Sequence, residues 1–352
     1  MKKLLKNPLF YKEWIVCRWM ALIMSCLLII IKYAPISNLL SAYKKKLVLD
    51  SNFVIVPYWF NNEIFLEPNK ILFLFPLILI LVILLFRAEK QTSTSGLISS
   101  MPFKRKDIII GKYMVGIFSI FIAFFINFLM MSIFYIINVD FIKTSYSDIP
   151  MWYLINFLYC TLFYTFSVFM QTVMGKYIVA IFFTPVFFIM PSIIFTYLFC
   201  VADWLFPVCT YGNGKSIGPM GGMLYGLISP FDIYSITEGS RKKISSQIYK
   251  VVYSNYGFKI LYLSAIIAFF LWLSVYCYKK IDMEKIHYIA LFKKFEIIFN
   301  ILISLNVAVV ITLCSGEILN LEGSIVSFII FFVLAMFISY LLCSKIIKLA
   351  SR

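Results

Sequence analysis

The chain has 352 residues, of which 62% belong to the hydrophobic class and only 14% are charged, and its mean hydropathy is +0.93. A soluble globule of this composition would lack enough polar surface, so the classes of water-soluble enzymes and binding proteins are excluded. A net charge of +16 would suggest nucleic acid as the partner of a soluble protein. In a membrane protein the same charge follows from topology, so we expect no nucleic-acid partner.

Long stretches without Asp, Glu, Lys or Arg recur along the chain, and most exceed the roughly 20 apolar residues that cross about 30 Å of hydrocarbon. A further span over residues 17–40 contains Lys32, whose side chain we expect to snorkel from near a helix end. The sequence therefore predicts an all-α fold, a polytopic transmembrane helical bundle of about eight spans. The seven charge-free stretches are 71–86, 113–139, 149–175, 177–202, 260–278, 297–316 and 323–344.

Charge distribution orients these spans. With the N terminus in the cytoplasm, the inner segments hold twenty basic and six acidic residues, a net charge of +14, whereas the outer segments hold twelve and ten, a net charge of +2. This asymmetry is typical of the positive-inside rule. Both termini are therefore predicted to be cytoplasmic, and the location to be the plasma membrane.

The N-terminal stretch Asn7–Trp14 mixes rings with charges ahead of the first span, and it has no small-residue cleavage pattern after its apolar run, so we interpret it as retained. It fits either a helix lying in the membrane interface or an ordinary aromatic belt before a spanning helix. The residues of the predicted interfacial helix are Phe10, Tyr11, Lys12, Glu13 and Trp14.

The cytoplasmic loop 87–112, between spans two and three, carries the functional signal. A polar start is followed by a small apolar patch, by a break at Pro102 and by a basic cluster, so the loop should present a surface element that a partner could bind. It resembles the loop of the type-2 permeases of the ABC transporter family, which in that family is the coupling helix seated on the ATPase subunit. The matching segments, in order, are Glu89-Lys90, Leu97-Ile98, Ser100-Met101-Pro102, Lys104-Arg105 and Gly111-Lys112.

What the resemblance implies is a permease subunit of the exporter class that works with a separate ABC ATPase and a second permease, identical or paralogous. The residues that it assigns to ATPase coupling are Glu89, Lys90, Leu97, Met101, Pro102, Lys104, Arg105 and Lys112. Residues 1–296 would form a six-span core and residues 297–352 a C-terminal two-span hairpin with a cytoplasmic tail. The last two spans depart from the six that are common in the family. A basic loop explained by topology alone is the alternative reading of 87–112.

The connection between spans four and five is very short. Because it consists only of Met174–Tyr177, these two spans must be antiparallel neighbours. The outer loop 203–256 contains the Gly-rich apolar stretch Gly218–Phe231, which fits either a re-entrant hairpin or a flexible loop, and a solvated stretch Glu238–Lys250. We interpret the cysteines as buried apolar thiols. A disulfide between Cys200 and Cys209 is the less favoured alternative.

No motif in the sequence indicates nucleotide binding, catalysis or metal binding by this chain. Tyr211–Ser216 looks like part of a phosphate loop but has Cys209 where glycine is needed, and it lies on the predicted outer face. His287, the single histidine, is interpreted as a surface residue, and no metal-ligand spacing occurs. We therefore expect no enzyme activity, no metal and no cofactor, with ATP and Mg²⁺ bound by the partner subunit.

The cargo is expected to be hydrophobic or amphipathic, that is, a peptide, a lipid or a drug-like molecule, because the spans offer almost no charges to bind ions or sugars. No substrate-binding residues are assigned. Two alternatives stay open: an ion-gradient-driven secondary transporter or channel, and a non-transporting membrane sensor or assembly partner of an ATPase.

Overall fold

The computed structural model describes residues 8–50, 55, 58–65, 68–90, 104–205, 233–237, 249–253, 255–280, 293–319 and 325–350. The chain divides into two compact units. The first contains residues 1–85, 103–165 and 230–272, and the second contains residues 86–102, 166–229 and 273–352.

Helices dominate the described part of the chain. They are α1 (Pro8–Leu28), α2 (Ala34–Leu49), α3 (Trp59–Phe65), α4 (Leu74–Lys90), α5 (Arg105–Ile137), α6 (Asp148–Val173), α7 (Tyr177–Leu205), α8 (Tyr256–Lys279), α9 (Lys293–Leu319) and α10 (Ile325–Ala350). Short 3₁₀ turns cover Pro68–Phe73 and Val139–Phe141, and a π-helical segment, Ile29–Tyr33, joins α1 to α2.

The predicted polytopic helical bundle is confirmed. Among the described residues, five helical stretches are long and apolar enough to cross a membrane: Phe10–Leu49, Lys70–Lys90, Arg105–Ile137, Asp148–Val173 and Tyr256–Lys279. Helices α7, α9 and α10 contain shorter apolar segments, at Tyr177–Pro191, Phe299–Thr312 and Ile330–Leu342. These positions coincide with the eight predicted spans.

The prediction for Lys32 is wrong. Helix α1, the π-helical segment and α2 form one helical stretch of 40 residues from Phe10 to Leu49, about 60 Å long, so Lys32 lies well inside it. Its side chain is buried and donates a hydrogen bond of 3.0 Å from Nζ to the Ile64 carbonyl, with Nζ 4.9 Å from the centre of the Trp152 ring. The Ile64 carbonyl and the Trp152 ring thus stabilise the buried ammonium group within the helical stretch.

The α6–α7 connection is short, whereas the α7–α8 connection is long and contains two strands. Only residues 174–176 separate α6 from α7, and the rings of Phe166 and Phe188 lie 5.8 Å apart, in keeping with a tight antiparallel hairpin. In the outer loop, strands β1 (Ile233–Thr237) and β2 (Tyr249–Tyr253) pair antiparallel. This small hairpin was not predicted.

Some of the segments interpreted from the sequence lie outside the described residues. They are Gly218–Phe231, Tyr211–Ser216, Cys209 and His287.

The core of the first unit is formed by α1, α4, α5 and α6. Asn127 on α5 donates from Nδ2 to the Ser25 carbonyl at 3.1 Å, and its own carbonyl accepts from the Tyr153 hydroxyl at 3.3 Å. Phe75 on α4 stacks on Phe163 of α6, with ring centroids 3.9 Å apart. Internal polar links of this kind satisfy groups that lipid could not hydrogen-bond.

In the second unit, α9 packs against α10 and α7. The Ser339 hydroxyl of α10 donates to the Ser304 carbonyl of α9 at 3.1 Å, and the rings of Phe187 on α7 and Phe299 on α9 are 5.1 Å apart. Small side chains at such crossings let two helices approach closely in a membrane. The predicted domain boundary at 296/297 stays a prediction.

Candidate functional site: the anchors of the cytoplasmic loop

The predicted coupling loop is described at its two ends. Helix α4 continues to Lys90, and α5 begins at Arg105 after Lys104, which has extended backbone angles of φ −69° and ψ 137°. The predicted restart of the helix after a break therefore occurs at Arg105. Leu97, Met101 and Pro102, three of the predicted coupling residues, lie outside the described residues.

Glu89 and Lys90 are anchored within the second unit. The buried Glu89 accepts a hydrogen bond of 3.0 Å at Oε2 from the Tyr278 hydroxyl, near the end of α8. Lys90 donates from Nζ to the Gln171 carbonyl at 2.6 Å, to Gln171 Oε1 at 2.8 Å and to the Met174 carbonyl at 2.7 Å. These two carbonyls belong to the end of α6, where backbone acceptors lack partners within the helix. The start of the loop is therefore attached to the α6–α7 turn and to α8.

Lys112 anchors α5 within the first unit. Its side chain is buried, and Nζ donates to the Leu85 carbonyl and to Glu13 Oε1, the latter at 3.3 Å. One ammonium group thus links three helices, α1, α4 and α5. A buried cation is tolerated when carbonyl and carboxylate oxygens surround it, because these replace water as hydrogen-bond acceptors.

Helix α6 packs closely against the turn of α5 that contains Lys112. The Tyr164 hydroxyl donates to the Lys112 carbonyl at 2.9 Å, and the Tyr113 hydroxyl lies 2.9 Å from Thr165 Oγ1. Gly116 lies beneath the Tyr164 ring so closely that an added Cβ would be 2.0 Å from the ring carbon Cζ. Only glycine leaves room for the tyrosine at this height of the helix.

The start of α5 offers exposed positive charge. Lys104, Arg105 and Lys106 are all solvent-exposed, and Asp107 lies in the first turn. In contrast with Glu89, Lys90 and Lys112, these side chains are accessible to a partner. The predicted coupling residues therefore divide into anchors and an exposed basic surface.

The N-terminal residues lie on the first two turns of α1, which continues without interruption into the first span. Phe10 and Trp14 pack on Phe118 of α5, with ring centroids 6.2 and 5.2 Å apart, while Tyr11 and Lys12 are exposed. Glu13 is on the packed side and reaches Lys112. Their predicted interfacial placement stays a prediction.

The structure brings Glu13 and Lys112 together, two residues that sequence reasoning placed in separate sets. It also identifies anchoring residues that the sequence did not indicate, namely Gln171, Tyr278 and Tyr164. The short α6–α7 connection was the one available signal, since uncapped carbonyls at a tight turn attract cations.

One of the comparisons with known proteins gives a match. Residues 36–203 match the family model described as "ABC-2 family transporter protein", a segment that includes the whole loop 87–112 and spans a little under half of the chain. Neither the curated proteins nor the solved structures give a match.

The fold defines a multi-pass membrane protein, and its residues 36–203 are similar to a family of transporter proteins. The predicted resemblance to the ABC type-2 permeases is confirmed over residues 36–203, and the match supports an ABC permease located in the plasma membrane.

Proposed function

We propose that the chain is the membrane permease subunit of an ATP-driven ABC exporter, and that it moves a hydrophobic or amphipathic substrate such as a peptide, a lipid or a drug-like molecule. The family match that encloses loop 87–112 carries this proposal. ATP and Mg²⁺ would be bound by a separate ATPase subunit, and a second permease would complete the transporter.

The anchoring of the loop supports a role in transmitting force. Lys90 holds the α6–α7 turn by three hydrogen bonds, and Glu89 holds α8 through Tyr278. A displacement of the loop by a partner would then be passed to two other membrane helices, because packed elements move as bodies. The exposed residues Lys104 and Arg105 would meet acidic groups of the ATPase.

The test is co-purification and reconstitution with a candidate ABC ATPase subunit from the same organism. The double variant K104E/R105E should weaken capture of the ATPase by about tenfold or more, because like charges would face each other. The matched control is K45E/K46E, which makes the same charge change at exposed lysines near the end of α2. Equal capture by the two double variants would overturn the assignment of this surface.

Coupling itself is tested in proteoliposomes by Glu89→Leu, which removes the acceptor for the Tyr278 hydroxyl, and by Pro102→Ala. We expect ATP hydrolysis to continue while ATP-driven transport of a fluorescent amphiphile falls, because the loop would move without moving the helices. Normal transport in both variants would contradict the role proposed for the loop. Hydrolysis without transport by the unaltered chain would favour a sensor or assembly partner.

One observation favours the ion-coupled alternative. The first unit holds buried charged side chains, among them Lys32 and Asp148, and Asp148 Oδ2 accepts from Asn61 Nδ2 at 2.9 Å. A transporter driven by a proton gradient would need such groups. Uptake that follows an imposed pH gradient without ATP, and that is lost in Asp148→Asn, would establish this function instead.

A further inference from the structure

A groove with one polar and one apolar end lies within the first unit, between α2 and the last turns of α5. Its volume is about 430 Å³, which lies in the range of small-molecule sites. The lining residues on α2 include Ser37, Ser41 and Lys44, and those on α5 include Met130, Ile133 and Phe134. Among the described residues that line this groove, none is acidic.

The polar end is organised around Lys44. Its Nζ donates to Asn138 Oδ1 at 2.8 Å and lies 4.8 Å from the centre of the Phe141 ring. Asn138 is itself fixed, because its Nδ2 donates to the Phe134 carbonyl at 2.9 Å. An ammonium group has three donors, so a cation held by one amide oxygen and one ring face keeps hydrogen-bonding capacity for an anion.

The two serines add acceptors beside this cation. Ser37 Oγ donates to the Ala34 carbonyl at 2.9 Å, and Ser41 Oγ donates to the Asn38 carbonyl at 2.7 Å. Because each hydroxyl proton is used within the helix, each oxygen is left as an acceptor. The polar end thus offers a cation for a phosphate and two acceptors for headgroup hydroxyls.

The apolar end continues along the helices in the direction of the bilayer. Lys44 lies about 16 Å beyond Tyr33 along the helical stretch, so the groove passes from the headgroup layer into the hydrocarbon. Ile133 is 56% exposed, and its neighbours Met130 and Phe134 complete a wall for an acyl chain. Lys45 and Lys46 are also exposed, but neither is among the residues that line the groove.

We propose that this surface, the Lys44 groove, binds one anionic phospholipid, with the phosphate at Lys44 Nζ, the headgroup hydroxyls at Ser37 and Ser41, and an acyl chain against Met130 and Ile133. Phosphatidylglycerol has this chemistry. Phosphatidylcholine has the phosphate, but its choline group carries a positive charge that Lys44 repels. Because this binding requires neither ATP nor a partner, its test is independent of the transport function proposed above.

The experiment titrates fluorescent phosphatidylglycerol into the full-length chain in detergent micelles and displaces it with unlabelled lipids. We expect phosphatidylglycerol to compete about tenfold better than phosphatidylcholine, because Lys44 repels the choline cation and choline has no hydroxyl groups for Ser37 and Ser41. Lys44→Met should abolish this preference, while Lys44→Arg and the neighbouring control Lys45→Met should keep it. Ile133→Trp, which fills the apolar end, should weaken both lipids.

Four results would overturn the proposal. An unchanged preference in Lys44→Met would remove the phosphate site. An equal loss in Lys45→Met would indicate a diffuse positive surface and no defined site. Full displacement by free glycerol phosphate would mean that the headgroup alone is recognised, and a change in oligomeric state in Ile133→Trp with unaltered lipid binding would assign the groove to a second copy of the chain.

Discussion

At the scale of single residues, glycine at position 116 decides how α5 and α6 approach each other. The hypothetical Cβ at this position lies 2.0 Å from Tyr164 Cζ and 2.2 Å from its hydroxyl oxygen. No real side chain tolerates such a distance, so either α5 or the tyrosine would have to move. The hydrogen bond from Tyr164 to the Lys112 carbonyl would be lost in the process.

We therefore predict that Gly116→Ala lowers the free energy of unfolding by about 1–3 kcal/mol through overpacking, although alanine favours helix. The matched control is Gly257→Ala in the first turn of α8, where no described atom lies within 4 Å of the added Cβ. Thermal unfolding in detergent, followed by tryptophan fluorescence, measures both. Gly116→Ala combined with Tyr164→Leu should recover part of the loss, and equal stability of the two alanine variants would contradict the packing account.

The variant Tyr164→Phe measures the contribution of the hydroxyl to stability, because it removes the hydroxyl and keeps the ring. The phenyl ring keeps the contact with Gly116, whereas the hydrogen bond to the Lys112 carbonyl disappears, so the expected loss is about 1 kcal/mol. The same unfolding measurement checks it. A loss as large as that of Gly116→Ala would mean that the hydroxyl matters more than the space under the ring.

At the scale of elements, Lys112 joins three helices through two acceptors. The Leu85 carbonyl belongs to α4 and the Glu13 carboxylate to α1, and both lie in the first unit with Lys112. Removing the cation would leave a partly buried carboxylate without its partner, which costs more than removing both charges together. Lys112 is thus a structural link as well as a member of the predicted coupling set.

We expect Lys112→Met to destabilise the chain by about 2 kcal/mol, and Glu13→Gln by less, because Glu13 is only half-buried. The double variant should be more stable than the sum of the single losses implies. A double-mutant cycle by thermal unfolding measures this coupling. Simple additivity would show that the 3.3 Å contact contributes nothing.

At the scale of the whole molecule, membrane orientation can be tested with single cysteines. The helical stretch Phe10–Leu49 is about 60 Å long and therefore emerges beyond the hydrocarbon. Lys45, near its end, should face the outside, whereas Lys106, in the first turn of α5, should face the cytoplasm.

We predict that Lys45→Cys reacts with a membrane-impermeant maleimide in intact cells, while Lys106→Cys reacts only after the cells are opened. The unaltered chain provides the background from its own eight cysteines. Labelling of Lys106→Cys alone in intact cells would reverse the predicted orientation. Labelling of both variants in intact cells would contradict a crossing of the membrane by Lys70–Lys90, the span that lies between them.

Sequence by itself determined the membrane embedding and the positions of the apolar helices. Apolar runs free of charge report burial in lipid directly, because a bilayer rejects charges wherever they are not compensated. The order of residues in loop 87–112 was similarly sufficient for the resemblance that the family match confirms over residues 36–203. Each of these signals is local in the chain.

Tertiary structure alone decided which partners the polar residues have. Lys32 was expected near a helix end, yet the Ile64 carbonyl holds it in the interior, and Lys90 finds its acceptors 81 to 84 residues further along the chain. Such contacts depend on how helices cross, and a linear pattern of hydrophobicity does not encode that crossing. The anchors of the coupling loop and the Lys44 groove therefore became visible only once α2, α5 and α6 were placed in space.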